Sequence, residues 1–580
     1  LNLSAFETFF SERRPFFTEG SQLLPSGSAF FTRRIGAPPR GPADGAFVDR
    51  PANTTILGAA KVTGQLPSGL SVGVLAALTD RAHALVTDTT AGPVRRVEVE
   101  PLAAYGAARL QQQFGADAST VGISIAGMQR EFSSESDLEQ LLSRRAVAAI
   151  ADSRLRFQGG EYELRFTAGM SRVQGDSAAI LRIQRAPAHF FQRPDANRLR
   201  LDSSRTVLTG YTASLRADKN AGNWRWGVGV TTESPGYETN DMGRVTSVDD
   251  VDLNWDINYR ETTPGPLFRT WNLGVSNSVS WNYDGDRGNT RASIFSSATL
   301  RNFWTAGLTV WLRPRGQSDS QTRGGPLMQT LRSWGMDLRL GTNQSSANSV
   351  QGSLSWSRSE EGGWSLALTP RLSVRPGARV SASLNPSFSR SVNPRQFIGT
   401  ESRSSSETFG SRYLFGRIDQ TVLSMQLRLN YAVSPDLTLE LYAEPFTASG
   451  RFSNLGELAE ARTPDLRRLG TDGLTTTPGP DGLSVTDERD GDSFLIPALD
   501  FNRFSFRSNL VARWEWTPGS TLFLVWQQDR FDQCTPGSLS ACPSGTSPGD
   551  GPGPRHLLNS FRAEGKHVLA LKASYWIPVR

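Results

Sequence analysis

At 580 residues the chain is long enough for several soluble domains or one large one. Lys and Arg number 62 against 56 Asp and Glu, for a net charge of +6, but the signs are interspersed. No basic block of the kind that tracks phosphates appears, which excludes an obvious nucleic-acid partner, and no apolar run approaches the roughly 18 residues of a membrane helix.

The first residue is not methionine and no signal-peptide pattern follows it, so the chain reads as a mature or trimmed product. Near the start, "SERRPFF" combines Glu12, Arg13 and Arg14 with Pro15, Phe16 and Phe17. Two readings stay open for residues 1–35. One is a lead-in to a first strand, supplied by residues 28–35. The other is a partial plug whose arginines pair with carboxylates inside a barrel.

From Thr54 onward the dominant pattern has period two, the signature of strands. In 251–259, Val251, Leu253, Trp255, Ile257 and Tyr259 alternate with Asp252, Asn254, Asp256 and Asn258. In 422–431, Leu423, Met425, Leu427, Leu429 and Tyr431 alternate with polar residues that include Arg428. In 437–444, leucines alternate with Thr438, Glu440, Tyr442 and Glu444. In 505–516, Phe506, Leu510, Ala512, Trp514 and Trp516 oppose Arg507, Asn509, Arg513 and Glu515. Helical periodicity is confined to short pieces such as 137–145 and 177–185. The alternating runs reach about 10–15 residues, longer than the usual 5–6 of a soluble sandwich and suited to a tilted membrane strand.

The connections alternate strictly. Tight turns stand at 65–69, 115–117, 158–160, 218–222, 261–266, 300–302, 343–348, 375–377, 434–436 and 517–520. Between them come 131–144, 173–203, 235–245, 284–288, 315–332, 360–363, 390–410, 451–502 and 532–565, most of them long. Short turns at one end and long loops at the other are the build of outer-membrane barrels. The tally is 21 strands from Thr54, and bacterial single-chain barrels are even-numbered. The expectation is therefore an all-β, antiparallel transmembrane barrel of about 22 strands over 36–580, the missing strand coming from 28–35. Large outer loops are expected at 173–203, 451–502 and 532–565. Asp252, Asp256, Arg428, Glu440, Glu444, Arg507, Arg513 and Glu515 are expected to face the lumen. Trp514, Trp516, Tyr575 and Trp576 suit an interfacial aromatic girdle.

Other chemistry is sparse. "GLSVG" (69–73) and "GTSPG" (545–549) match a nucleophile pattern around Ser71 and Ser547, without the strand, turn and helix it needs. The four histidines, His83, His189, His556 and His567, show no metal or catalytic spacing, so no enzyme is expected. In "TDERDGDS", Asp487, Asp490 and Asp492 surround Gly491, carboxylates suited to calcium although the EF-hand pattern is incomplete. A solvated acidic loop is the plainer account. Cys534 and Cys542 share one Pro/Gly/Ser-rich loop and are expected to form a local disulfide in an oxidising compartment.

Several stretches in order, "FFSERRPFFTEG" (9–20), "FFTRRIG" (30–36), "QRPD" (192–195), "SPGYETNDMG" (234–243), "RGGP" (323–326), "YLFGRIDQTVLSMQLRLNY" (413–431), "EWTPGSTLFLVW" (515–526) and "ASYWIP" (573–578), resemble a bacterial family of unknown function. Its members usually carry a barrel-like region behind a carbohydrate-binding module similar to family 9. The resemblance implies architecture and a bacterial outer-membrane location more than an activity, and this chain lacks the upstream module.

The combined expectation is a pore or export channel for a polar solute or glycan. The alternative is a non-conducting anchor that presents surface loops or holds a periplasmic or surface partner protein. Outer-membrane lipid is a partner in either case. No separate plug domain of the TonB-dependent kind is visible, so inward loops or the N-terminal segment have to narrow the lumen.

Overall fold

Alternating sequence makes a strand with two unlike faces, and such strands can only be satisfied together, by pairing edge to edge and curling. The computed structural model of the chain describes residues 11–25, 27–89, 92–401, 406–479, 482–536, 547–551 and 554–576. Among them, 22 strands join in one antiparallel barrel sheet. Twenty-one are long, from 9 to 22 residues, and run in chain order from Ile56–Gln65 to Gly565–Ser574. Each long strand pairs with the next long one, beginning with Ile56–Gln65 on Leu70–Thr79 and ending with Ser520–Cys534 on Gly565–Ser574. The twenty-second, Leu466–Arg468, pairs only with the outer end of Leu437–Leu458.

The strand expected at 28–35 is absent. Thr32–Arg34 is a 3-10 turn there, and both Phe30 and Ile35, an even and an odd position, are buried. Residues of both parities are buried, so the stretch has no alternating inner and outer face and lies inside the barrel rather than in its wall.

The tight turns fall where the spacing places them, Gly519 turning Phe501–Thr517 into Ser520–Cys534 with φ +83°. Two expected long loops are shorter. Strand Val380–Glu401 continues through the first part of 390–410, and Leu437–Leu458 continues into 451–502. Pro394 has no N–H to give to the ladder, and a register shift between Asn393 and Gln396 absorbs it as a bulge. These strands of about 22 residues exceed the roughly 9–11 that cross a bilayer, so they carry sheet beyond the membrane at the outer end. There a small sheet of Leu474–Gly479, Gly482–Asp487 and Ser493–Pro497 fills the rest of the 451–502 loop. A second small sheet joins Phe47–Asp49, Ala82–Thr87 and Arg95–Glu100.

The registers assign the faces. Leu253, Trp255 and Ile257 of Asp250–Glu261 are exposed on the outside, in register with Val230, Val228 and Trp226 of Trp224–Glu233. The outside is therefore an apolar band. At the tight-turn end Trp224, Tyr259 and Trp271 meet in sequence, the first pair edge to face and the second tilted, with centroids 5.3 and 5.4 Å apart. Trp514 lies 6.5 Å from Trp516, and Trp576 donates its backbone N–H to Ser520. These are the rings of an interfacial girdle.

The main apolar core is inside the barrel. Leu75, Tyr105, Ala107, Ala126, Met128, Ala146, Ala148 and Val173 are lumen-facing wall residues. They pack on Phe17, Leu24, Phe30 and Ile35 of the N-terminal segment and on Ile180, Phe191, Leu199 and Met242 of inward loops. Small alanines on the wall leave room for the aromatic groups of the filling.

Candidate functional site

The lumen is divided by height. Over the first strands it is filled by the N-terminal segment through Phe17, Leu24, Phe30 and Ile35 and by the loops after Tyr162–Gln174 and Trp224–Glu233. A buried ionic network locks this filling to the wall. Asp241, on the second loop, accepts from Arg40 of the N-terminal segment and lies 3.0 Å from Arg130 of the wall. Glu100 accepts from the backbone N–H of Arg40 at 2.9 Å and lies 3.8 Å from Arg130. Burial pushes the Glu100 carboxyl above its ordinary value, against the opposing pull of Arg40. Arg40 stays charged because Asp241 and Glu100 outweigh the desolvation of its guanidinium. Ser143 donates to the free oxygen of Asp241. Nearby, both ring nitrogens of buried His189 face oxygens, those of Pro235 (2.9 Å) and Glu238 (2.7 Å). Glu238 in turn donates its backbone N–H to Ser171 of the wall at 2.9 Å.

Below the filling the wall carries a ladder of opposite charges. Arg109 makes two parallel hydrogen bonds, 2.7 and 2.9 Å, to Asp152 two strands away. The strand between has Gly122 at the crossing, and a Cβ there would stand 3.0 Å from the guanidinium. Glu163 is flanked by Arg154, Arg156 and Arg165. Arg165 reaches Asp218 at 2.7 Å, and Arg216 bridges Asp218 (2.8 Å), Asn254 (2.6 Å) and Asp256 (2.9 Å). Arg216 passes over Gly227, where a Cβ would collide with it.

The candidate solute site is a cavity of about 410 Å³ at the outer end of the lumen, on the side away from the packed core. Asp249, Asp250, Asp252, Asp286, Asp319 and Arg313 are among its lining groups. Burial pushes the Asp249 carboxyl up to about 6 despite Arg193 at 3.4 Å. Asp250 Oδ1, Arg313 Nε and Gln317 Oε1 are buried without a hydrogen-bond partner among the described residues. Unpaired buried polar atoms are costly, so a wall of them suits a polar guest or water.

The expected lumen residues fall as follows. Asp252 lines this cavity, and Asp256 belongs to the ladder. Arg428 lies over the Tyr442 ring at 5.4 Å, and Tyr442 donates to Glu444. Glu444 stands opposite Arg507, which meets Asp529 at 3.4 Å, while Glu440 stands opposite Asn430 on the same face. Arg513 pairs with Glu515 at 3.4 Å. They share the lumen face but do not converge on one point.

Two expectations change. Arg14 does not reach a wall carboxylate: it pairs with Glu12 at 2.7 Å and donates to the carbonyls of Thr32 and Ile35. Burial opposes ionisation of Glu12, yet hydrogen bonds from Arg14 and Thr32 bring its carboxyl down to about 2. Arg13 donates its backbone N–H to Glu12. This trio folds the N-terminal segment on itself instead of bonding it to the wall. Asp487 and Asp490 do not gather with Asp492 as a cation cage, because Arg412 holds both, at 2.7 and 3.0 Å, and Arg467 takes Asp487 together with Glu457. Asp492 donates its backbone N–H to Asp490. Guanidinium groups supply the positive charge, and among the described residues no three His, Cys, Asp or Glu are grouped to hold a metal. Cys534 is buried at the end of its strand, and Cys542, with the expected disulfide, lies outside the described residues.

Arg109, Asp152, Arg216, Asp218, Arg130 and Asp241 were not singled out in the sequence. The ladder had a signal, since Arg154 and Arg156, Glu163 and Arg165, and Arg216 and Asp218 keep the same parity two apart. The filled quarter had one too: "LSVGVLAALT" (70–79) and "AVAAIA" (146–151) are apolar on both parities, which a wall strand tolerates only where protein fills the lumen.

The chain is similar to the anion-selective porin from Comamonas acidovorans at 11% identity, covering 56% of this chain and 89% of that one, with a TM-score of 0.25. It is similar to the outer-membrane transporter YddB from Escherichia coli at 11% identity over 81% and 62% of the two chains, TM-score 0.36. With the FrpB iron transporter from Neisseria meningitidis the figures are 10%, 85%, 77% and 0.39. These superpositions are loose, and the fold stands on the chain's own registers. No curated protein matches the sequence. A family model does match, over residues 1–577, and the chain belongs to the family described as a domain of unknown function, DUF5916.

Proposed function

We propose that the protein is a bacterial outer-membrane barrel that passes a polar solute, closed at rest by its N-terminal segment and inward loops. The reading is carried by one observation: an apolar exterior encloses a lumen whose lower part is a ladder of paired opposite charges and whose outer end is a cavity with unpartnered polar atoms. A ladder of mixed sign gives little net charge preference, which suits neutral or zwitterionic cargo, a glycan included. The acidic cavity above it would be met first by a solute arriving from outside.

The apolar packing of Phe17, Leu24 and Phe30 on the wall supports a second reading, a non-conducting anchor, because such packing is costly to undo. Planar-bilayer conductance separates the two. Asp241→Ala removes the nearer of the two carboxylates that Arg40 and Arg130 share and leaves them only Glu100, and removing one partner of a buried ionic group costs about 3–5 kcal/mol. The variant is expected to open far more often than the native barrel and to pass small neutral sugars in liposome-swelling assays. Silence in both proteins, with both inserted, would leave the anchor.

A further inference from the structure

The lipid-facing wall has a concavity that an apolar band does not require. Across three neighbouring strands, Ala76, Gly106 and Gly127 stand side by side in register on the outside. With almost no side chain at three adjacent positions the wall is bare, and a groove of about 720 Å³ runs over them, bordered by Val74, Ile125 and Val147. The row continues through Val147 to Arg172, and Arg145 stands diagonal to Arg172, opposite Gln174. Both arginines are exposed and line the groove at the end nearer the outer loops.

These two differ from the arginines around them. Arg144 pairs with Glu139, and Arg130 with Asp241. Neither Arg145 nor Arg172 has an ion pair or side-chain hydrogen bond among the described residues. Two uncompensated guanidinium groups at the edge of hydrocarbon are expensive unless an anion meets them, and a phosphate accepts from two guanidinium forks at once. The loop-bearing end of such a barrel faces the outer leaflet.

We propose that this groove binds one phosphorylated acyl lipid of the outer leaflet, its chains along the Gly106–Gly127 row and its phosphate between Arg145 and Arg172. The inference rests on the membrane reading above but not on solute passage. The probe is lipid A, mixed at low fraction into phosphatidylcholine nanodiscs holding the barrel, with retained lipid counted by native mass spectrometry. The native barrel is expected to keep one lipid A. The R145Q/R172Q double variant and Gly106→Leu should each lower its occupancy tenfold or more, leaving phosphatidylcholine unchanged. A Cβ at Gly106 meets nothing within 4 Å, so leucine fills the groove without disturbing the wall. Equal retention of lipid A by all three proteins, or no preference over phosphatidylcholine in the native one, overturns the proposal. Heat-modifiable migration on gels is the control: a barrel that never inserts overturns the membrane reading as well, whereas an inserted barrel without lipid A overturns only the groove.

Discussion

A side chain as long as arginine can reach past one strand only if that strand offers nothing in the way. Arg216 meets Asp256 two strands on because the intervening Gly227 has no side chain, and Arg109 meets Asp152 across Gly122 in the same manner. The glycines are selected by the neighbour's reach, not by backbone angle. Gly227→Val is expected to expel the Arg216 guanidinium and leave Asp218 and Asp256 facing each other, at a cost of about 1–3 kcal/mol. Gly64→Val, on a strand position with nothing within 4 Å, should be nearly neutral. Urea titration of the two variants refolded into lipid vesicles compares them directly, and equal stability would mean that the cross-strand bridges do not hold in the lumen.

At the scale of one element, period two decides which face meets lipid, and a one-residue slip exchanges the faces entirely. In Arg412–Ala432 the registers put Leu427 opposite Leu384 and Ala443 on the outside and Arg428 opposite Tyr442 inside. Leu427→Arg should cost about 2–4 kcal/mol at midplane depth, whereas Arg428→Leu loses only a cation–π contact in a wet lumen and should cost less than about 1 kcal/mol. The same urea titration reads both, and the opposite ranking would refute the face assignment. Strands of this kind were legible because every second residue reports the same environment. Residues 28–35 were not, since Phe30 and Ile35 answer to a core made of distant strands, which no local period encodes. The acidic loop failed for a related reason: Asp487 is matched by Arg412, 75 positions away, and carboxylates awaiting calcium look the same in sequence as carboxylates awaiting arginine. The solute cavity was glimpsed only through Asp252, because Gln317 and Asp319 reach it from the connection after Thr305–Arg313, whose folding inward leaves no periodic trace.

The whole molecule is uneven around its circumference. On one side, Leu70–Thr79, Leu102–Phe114, Ser119–Glu131 and Arg145–Phe157 are packed from within by the N-terminal segment, so opening any of them breaks apolar contacts as well as hydrogen bonds. Bordering this packed side, one strand before Leu70–Thr79, lies the seam between Ile56–Gln65 and Gly565–Ser574. Twenty-one long strands in alternating directions leave these two running the same way, and no backbone register joins them among the described residues. Val568 and Leu569, neighbours on opposite faces of the last strand, are 53% and 73% exposed, so neither face is covered. Local stability follows buried apolar contact and paired backbone, and amide exchange reports it. In detergent micelles, amides of Ser119–Glu131 should therefore exchange about a hundredfold more slowly than those of Gly565–Ser574, equivalent to about 3 kcal/mol. Protection should be lowest in the last strand and highest in the packed quarter rather than peak at the membrane centre of every strand alike. Uniform protection around the wall would mean that the seam is sealed as firmly as any other pair, and that the internal packing adds nothing to the stability of the strands it touches.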